Sequence, residues 1–365
     1  MIYLIAVLLV LCLTIVSFIN FHPVFGGSVK KEQKENYSSL NNYKNGRFVN
    51  LVPTNENMGV ADMFSMLKDS FRNRGERKPN QNLPILKIDW DKVNSEKDSL
   101  TWFGHSAFLL SIDGKKMLVD PMLGFVASPV SFVGSKRYSQ DTLILIDRLP
   151  RIDAVLLTHD HYDHLDYPSI RKLKNKVEHF FVPLGVSPHL LRWGIAKEKI
   201  TELNWWEERE FHGLTVALTP SKHFSGRGVF NRNTTLWGGW VVLGQKTRFY
   251  TSGDGGYDEH FKEIGKKYGP FDMTLMEGGQ YDRRWSDIHM KPEESVQANI
   301  DVGGKRMMLI HWGAFTLAFH PWTEPVERAL MEAQKADVNM VVPKIGETVE
   351  LTGEISHSSS VWWRM

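Results

Sequence analysis

Histidine and aspartate side chains are concentrated in one short stretch, HDHYDHLD, at residues 159–166. It directly follows the apolar run IDAVLLT, which is typical of a buried β-strand. Side chains two residues apart point to the same side of an extended chain, so His159 and His161 can converge on one cation. Asp163 and His164 can then face a second cation beside the first. Because imidazole and carboxylate bind zinc well, this spacing predicts a two-metal site of the kind used for hydrolysis.

Three further residues are candidate ligands because each opens a loop after an apolar, strand-like run. His223 follows LTVALT, Asp254 follows TRFYT, and His311 follows RMMLI. Ends of neighbouring strands can meet at one edge of a sheet, so these side chains can reach the same site. Asp254 has two carboxylate oxygens and can bridge two cations.

Other polar residues near these motifs have open or ordinary interpretations. His289 lies just before a predicted helix, where it either contacts substrate or is a turn residue. We expect His105 to orient a loop or a ligand rather than bind metal itself. Asp166 is expected to cap the helix that follows it. A surface loop with chance histidines is the alternative to a metal site, and four ligand residues at this spacing argue against it.

Composition restricts the chemistry and the partners. The 365-residue chain is 42% hydrophobic and 24% charged, with a formal net charge of +2, which gives no reason to expect nucleic acid as a partner. Cys12 is the one cysteine, so an internal disulfide and a cysteine-based zinc site are excluded. The folded part therefore has no thiol nucleophile. No feature of the composition indicates an oligomeric state.

The first 27 residues are apolar and carry no charged side chain, and the first charged residue is Lys30. The run is long enough to cross a bilayer. It is either an uncleaved anchor or a signal peptide that is cleaved near Gly26 and Gly27. Basic residues follow the run and none precedes it, so we favour an anchor with the folded part on the cytoplasmic side. Export after cleavage is the alternative.

The rest of the chain divides into three predicted parts. Residues 28–97 are expected to be a flexible polar tether, over about 28–50, followed by a helical extension at about 57–73. Residues 98–352 mix short strands with helices near 258–267, 292–300 and 324–336, and the Asp113–Gly114 turn predicts a hairpin. A dinucleotide-binding glycine motif is missing from the sequence. Residues 353–365 are expected to be a C-terminal tail.

The order of these ligand residues resembles the metallo-β-lactamase superfamily over roughly residues 98–352. The resemblance implies an α+β fold, a four-layer αββα sandwich with a two-metal site at one edge, here preceded by an N-terminal apolar helix. It also implies a ligand for every position of that site. The first ion would be bound by His159, His161 and His223, the second by Asp163, His164 and His311, and both by Asp254.

A narrower resemblance, carried by HYDHLD and IHWG, is to the branch of N-acyl-phosphatidylethanolamine-hydrolysing phospholipases D. It implies a phospholipid substrate, a zinc-dependent phosphodiesterase reaction by a metal-bridging hydroxide, and phosphatidic acid and N-acylethanolamine as products. Asp163 and Asp254 are then the expected catalytic carboxylates. The alternatives are hydrolysis of a small soluble substrate, such as a phospho-sugar lactone or another ester, and a metal site without catalysis. The apolar segment 122–134 is expected to be a partly buried loop, or else a lipid-facing lip.

Overall fold

The computed structural model describes residues 2–55, 58–72, 74–228, 230–352 and 361–364. The helices are, in chain order, α1 (Ile2–Phe21), α2 (Lys31–Tyr37), α3 (Val60–Asp69), α4 (Trp90–Val93), α5 (Leu145–Arg148), α6 (Tyr167–Leu173), α7 (Ser187–Arg192), α8 (His260–Tyr268), α9 (Pro292–Val302) and α10 (Glu324–Lys335). The strands are β1 (Tyr43–Lys44), β2 (Arg47–Phe48), β3 (Ser99–Trp102), β4 (Phe108–Ile112), β5 (Lys115–Val119), β6 (Ile152–Leu156), β7 (Val177–Pro183), β8 (Ile200–Leu203), β9 (Glu208–Phe211), β10 (Leu214–Thr219), β11 (Gly239–Leu243), β12 (Arg248–Thr251), β13 (Met273–Glu277), β14 (Met307–Ile310), β15 (Met340–Val341) and β16 (Thr348–Glu350).

Most strands belong to two mixed sheets of seven strands each. The first sheet has the order β16-β3-β4-β5-β6-β7-β8, and the second has the order β15-β14-β13-β12-β11-β10-β9. In the first sheet β5 to β8 are parallel, and in the second β12 to β15 are parallel. The predicted hairpin joins β4 to β5 through Asp113 and Gly114, both at positive φ, as a two-residue turn between twisted strands requires.

Alternation along the strands shows how the sheets pack. Leu110 of β4 and Leu156 of β6 face the second sheet, whereas Leu109 and Val155 beside them belong to a separate cluster under the helices. Across the sheet interface the Phe108 ring lies 5.7 Å from the Phe249 ring.

Helices cover the two outer faces. The cluster under α5, α6 and α7 includes Ile146, Leu173 and Leu190, while α9 packs on β13 and β14 with α8 and α10 beside it. The layers are therefore helix, sheet, sheet, helix, which confirms the expected αββα sandwich.

The segment predicted as a flexible tether is folded onto this domain. It contains α2 and the β1–β2 hairpin, and Tyr37, Tyr43 and Phe48 are buried with ring centroids 4.9–5.6 Å apart. The segment is polar on average, but it carries three aromatic side chains that pack together. Their burial supplies apolar contacts that a solvated tether lacks. The expectation of a flexible tether was therefore wrong for residues 31–48.

The remaining predicted elements lie where the patterns placed them. The helices α8, α9 and α10 correspond to the three predicted near 258–267, 292–300 and 324–336. Asp166 caps α6, because its carboxylate accepts a hydrogen bond from the Ser169 N–H at 3.0 Å. Of the expected C-terminal tail, residues 353–360 and 365 lie outside the described residues, and Trp362 and Trp363 are buried against the core.

Helices α1 and α3 expose apolar side chains. The span Tyr3–Phe21 is long and apolar enough to cross a membrane, a test that a signal sequence also passes. On α3 the side chains of Met63 and Phe64 are 62% and 70% exposed, although both are large and apolar. Helices of water-soluble domains normally turn such residues inward.

Candidate metal centre

The predicted ligands converge at one edge of the sandwich because the strands that precede them run in the same direction. His223 follows β10, Asp254 follows β12 and His311 follows β14; β10 and β12 both pair antiparallel with β11, so they are parallel to each other. The loop 159–164 leaves β6 of the other sheet at the same edge. All seven side chains meet there.

Three imidazoles form the first group. Nε2 of His159 lies 2.8 Å from Nδ1 of His161, and Nε2 of His223 lies 3.4 Å from that same Nδ1. These nitrogens all lie within 4.8 Å of one another, as ligands of a single ion must. A second group brings Asp163, His164 and His311 together, with His105 beside them.

Asp254 lies between the two groups. Its Oδ2 is 3.0 Å from His164 Nε2, 3.9 Å from His159 Nε2 and 4.0 Å from His223 Nε2. Its Oδ1 is 3.2 Å from His311 Nδ1. One carboxylate therefore faces nitrogens of both groups, which is the arrangement that a bridging ligand needs.

Burial and neighbouring charge set the protonation states that a cation requires. Burial lowers the pKa of His159, His223 and His311 well below the ordinary value, so these imidazoles are neutral. Burial alone raises the pKa of Asp254, but His164, His311 and His159 together outweigh burial and hold that pKa well below its usual range. Neutral imidazole and ionised carboxylate are the forms that bind metal.

The site fits a divalent cation on a structural observation as well. Oδ1 of Asp254 and Nε2 of His164 are buried, and neither makes a hydrogen bond within the described part of the chain. Burial lowers the pKa of His164, yet Asp254, Asp163 and Asp120 together raise it well above the ordinary value. A cation bound among these carboxylates would supply the positive charge that a proton supplies in its absence. The His and Asp cluster is thus able to bind metal ions.

Asp120 supports the ligand loop through hydrogen bonds, and the sequence patterns did not predict this role. Its carboxylate accepts hydrogen bonds from the Thr158 N–H at 2.8 Å, from Thr158 Oγ1 at 2.6 Å and from His164 Nδ1 at 2.8 Å. The last bond leaves Nε2 of His164 as the nitrogen that faces the site. Asp120 directly follows β5, the parallel neighbour of β6, and that position was the available signal.

His105 lies beside the second group and contacts one of its candidate ligands. Its Nε2 donates to Asp163 Oδ2 at 2.9 Å, and its backbone N–H donates to the Trp312 carbonyl beside His311. The side chain orients one carboxylate of the second group. His105, Asp120 and His311 also have positive φ, a conformation that costs non-glycine residues free energy and often occurs at functional sites.

A second polar pair lies at the outer side of the cluster. Nδ1 of His289 donates to Glu277 Oε1 at 2.9 Å, and the Met290 N–H donates to the other oxygen. Burial raises the pKa of Glu277 to about 7. Burial lowers the pKa of His289, but Glu277, Asp254 and Asp163 together raise that pKa above the ordinary value. The sequence pattern pointed to His289 but not to Glu277, which ends β13 at the same sheet edge.

A cavity of about 310 Å³ opens above the cluster. Its floor includes His161, Asp163, Asp254, His289 and His311. Its walls are mainly apolar, and they include Met58, Met66, Phe224, Trp285, Ile288 and Leu317. Such a cavity combines a charged floor with walls that suit hydrocarbon.

The segment 122–134 was expected to be either a partly buried loop or a lipid-facing lip, and its two ends differ in burial. Met122 and Leu123 are buried, and Met122 packs with Phe315 in a cluster that Leu317 of the cavity wall also contacts. Farther along, Phe132 is 85% exposed and Val133 is 54% exposed. The base is therefore a buried loop, and the tip presents apolar side chains to the outside.

Comparisons with known proteins agree with this architecture. A family model described as "Beta-lactamase superfamily domain" matches residues 115–312. An uncharacterized protein of Mycobacterium tuberculosis is 40% identical over 89% of this chain and 87% of its own length. N-acyl-phosphatidylethanolamine-hydrolyzing phospholipase D 1 of Caenorhabditis elegans is 36% identical over 73% of this chain and 80% of its own length.

A solved structure shows the same fold. The metallo hydrolase of the archaeon Ignicoccus hospitalis superposes with a TM-score of 0.54 at 23% identity, covering 71% of this chain and all of that one. The matched residues 115–312 begin at β5 and include every predicted metal ligand. The chain therefore belongs to the metallo-β-lactamase superfamily, as one of its metallo-hydrolases.

Proposed function

We propose that the protein hydrolyses N-acyl-phosphatidylethanolamine-type phospholipids to phosphatidic acid and N-acylethanolamine. The observation that carries this proposal is an apolar cavity with a metal-ligand floor whose outer wall is an outward-facing apolar helix. The similarity to the C. elegans phospholipase D supports the same substrate class.

Helix α3 carries the argument for a lipid substrate because its polar side faces the protein. Ser65 and Asp69 receive hydrogen bonds from Arg284 at 2.8 and 3.1 Å, and Met66 lines the cavity. The opposite side presents an exposed apolar stripe, which we call the α3 rim: Val60, Met63, Phe64 and Leu67. The stripe follows helical spacing, so it forms one continuous face.

A bilayer surface is the environment in which this orientation is favourable. Each large side chain that leaves water for hydrocarbon contributes about 1.5–3 kcal/mol when fully buried. The α3 rim would thus hold the cavity mouth against the lipid that it must extract. Helix α1 would keep the domain at the same membrane, with the folded part cytoplasmic by its charge asymmetry.

We assign the two proposed cations to the side chains that face each other. His159, His161 and His223 would hold the first, and Asp163, His164 and His311 the second, with Asp254 shared between them. When bound, two divalent ions, which we propose to be zinc, lower the pKa of water to give hydroxide at neutral pH and stabilise negative charge on phosphoryl oxygens.

The chain's own residues would orient the water and the substrate and keep bulk water out of the site. Asp254 would accept a hydrogen bond from the attacking water, and His105 holds Asp163 through a hydrogen bond. The apolar wall excludes bulk water from the headgroup. His289, supported by Glu277, reaches the cavity and would contact the phosphodiester. The bond broken joins phosphorus to the ethanolamine oxygen, which takes up a proton as it leaves.

The test uses the full chain in detergent–lipid mixed micelles. We expect zinc-loaded protein to release N-acylethanolamine, a chelator to stop the reaction and added zinc to restore it. In ¹⁸O-water, one ¹⁸O atom should appear in phosphatidic acid and none in N-acylethanolamine. Glycerophospho-N-acylethanolamine, which lacks both glycerol acyl chains, is the matched control and should turn over more slowly. Turnover of that compound or of small esters without turnover of the lipid would refute the proposal and favour a soluble substrate.

A further inference from the structure

The end of the N-terminal helix is held by the catalytic domain. We call residues 20–27 the anchor foot. Arg192 donates to the carbonyls of Phe21 and Gly26, both at 2.7 Å, and Trp193 Nε1 donates to the Pro23 carbonyl at 2.7 Å. These donors come from α7 and the residue after it, so the foot is fixed through its own backbone.

The two glycines of the foot fit closely against the same helix. A Cβ atom on Gly26 would lie 1.9 Å from His189 Nδ1, and one on Gly27 would lie 2.2 Å from the Pro188 carbonyl oxygen. Close packing therefore explains the Gly–Gly pair that also resembles a cleavage site. On its other side His189 contacts the metal loop, with Nε2 3.3 Å from Asp160 Oδ2.

Arg227 joins the foot to the metal-ligand loop directly. It is buried, and it donates to the Val24 carbonyl at 2.9 Å, to the Asp160 carbonyl at 2.8 Å and to the Leu165 carbonyl at 2.6 Å. Residues 160 and 165 flank residues 161–164 of the metal-ligand loop, which include the candidate ligands His161, Asp163 and His164. The guanidinium also lies 4.2 Å above the ring of Tyr162, within that loop. One buried cation thus connects the anchor foot to both ends of this ligand segment.

We propose that the leader is retained in the mature protein and that the anchor foot, through Arg227 and His189, positions the metal-ligand loop. Arg227 is a positioning residue, since it touches main-chain carbonyls and no predicted ligand side chain. Cleavage after Gly27 would remove the Val24 carbonyl and leave buried donors of Arg227 unsatisfied, which is costly in a protein interior. Retention of the leader does not depend on the substrate, and the positioning role rests on the proposed metal site alone, so both can fail while the phospholipase proposal holds, and the reverse.

The first test is the mass of the full chain, carrying a C-terminal tag and purified from membranes. We expect a mass that includes residues 1–27. A mature N-terminus at residue 27 or 28 would overturn retention.

The second test is zinc affinity, measured by competition with a chelator in detergent micelles. Gly26→Ala should weaken binding about tenfold, as loss of a residue that orients metal ligands typically does. Gly46→Ala is the matched control, because Gly46 has a similar φ of 79° against 73° at Gly26 but nothing within 4 Å of its added Cβ. Equal zinc affinities in the two variants would contradict the coupling.

Arg227 provides a check that remains informative if one variant folds poorly. Arg227→Gln should lower zinc affinity about tenfold or more, and Arg227→Lys, which keeps the charge, should recover part of that loss. Both are compared at equal far-ultraviolet circular dichroism, so that only folded protein is scored. Wild-type zinc affinity in folded Arg227→Gln would overturn the positioning role.

Discussion

The floor and the outer wall of the cavity are built on opposite principles. At the floor, buried imidazoles and carboxylates are fixed by neighbours such as Asp120 and His105, and even backbone strain is tolerated there. At the wall, the α3 rim consists of exposed apolar side chains on one helix. Under the proposed function, the floor would break the bond and the wall would select the substrate that reaches it.

The largest expected effect comes from removing a ligand at the floor. His161→Ala should lose bound zinc and reduce turnover to background, because two remaining imidazoles hold the first ion poorly. Asp163→Ala should do the same at the second ion. His212→Ala is the control, since its imidazole pairs with Glu178 at the surface. Normal turnover in either ligand variant, measured with elemental analysis, would refute the ligand assignment.

A smaller effect should follow when the support of the floor is weakened without removing a ligand. Asp120→Asn abolishes the charge that orients His164, so zinc affinity should fall roughly 10- to 100-fold. Asp147→Asn, which affects an exposed ion pair with Lys172, should leave zinc affinity unchanged. Competition with a chelator measures both variants. Unchanged affinity in Asp120→Asn would show that His164 is oriented by other contacts.

The candidate ligands at the cavity floor could be predicted from the sequence better than the residues that orient them. Histidine spacing after a buried strand predicted a ligand cluster at residues 159–164, and the resemblance to the superfamily predicted three distant candidates that the fold brings to the same place. Asp120 and Glu277 were missed because a single carboxylate after a strand resembles any loop residue until the strand order is known. Arg227 gave no signal at all, since its partners are main-chain carbonyls that any sequence supplies.

The sequence also predicted the layers of the fold but misjudged residues 28–50. Alternating apolar residues and turn signals determine strands locally, which explains why the sandwich could be anticipated. The burial of Tyr37, Tyr43 and Phe48 depends instead on contacts with residues far along the chain. One example is the Asn233 carbonyl, which accepts a hydrogen bond from the Phe48 N–H. Tertiary contacts of this kind are not visible in local composition.

A still smaller and more selective effect is expected at the wall. Met63→Ser with Phe64→Ser should raise the lipid concentration for half-maximal turnover several-fold, because the α3 rim loses two large apolar side chains while α1 would still hold the protein at the membrane. Zinc content and turnover of glycerophospho-N-acylethanolamine should stay unchanged. Met331→Ser is the matched control, since Met331 is a 56% exposed methionine on α10. An equal effect of the control would remove the special role of α3.

The smallest expected effect concerns the tip of the loop 122–134. Phe132→Ser should weaken vesicle binding by about twofold or less, because α1 and the α3 rim would still hold the protein at the membrane. Cosedimentation with vesicles measures this binding. An effect larger than that of the α3 double variant would place the main membrane contact on this loop instead.

The most direct test of the whole account is the metal content of the purified full chain after reconstitution with zinc and removal of excess ion. Convergence of the seven ligands predicts two tightly bound ions per chain. One ion or none would contradict the paired site on which the proposed hydrolysis depends.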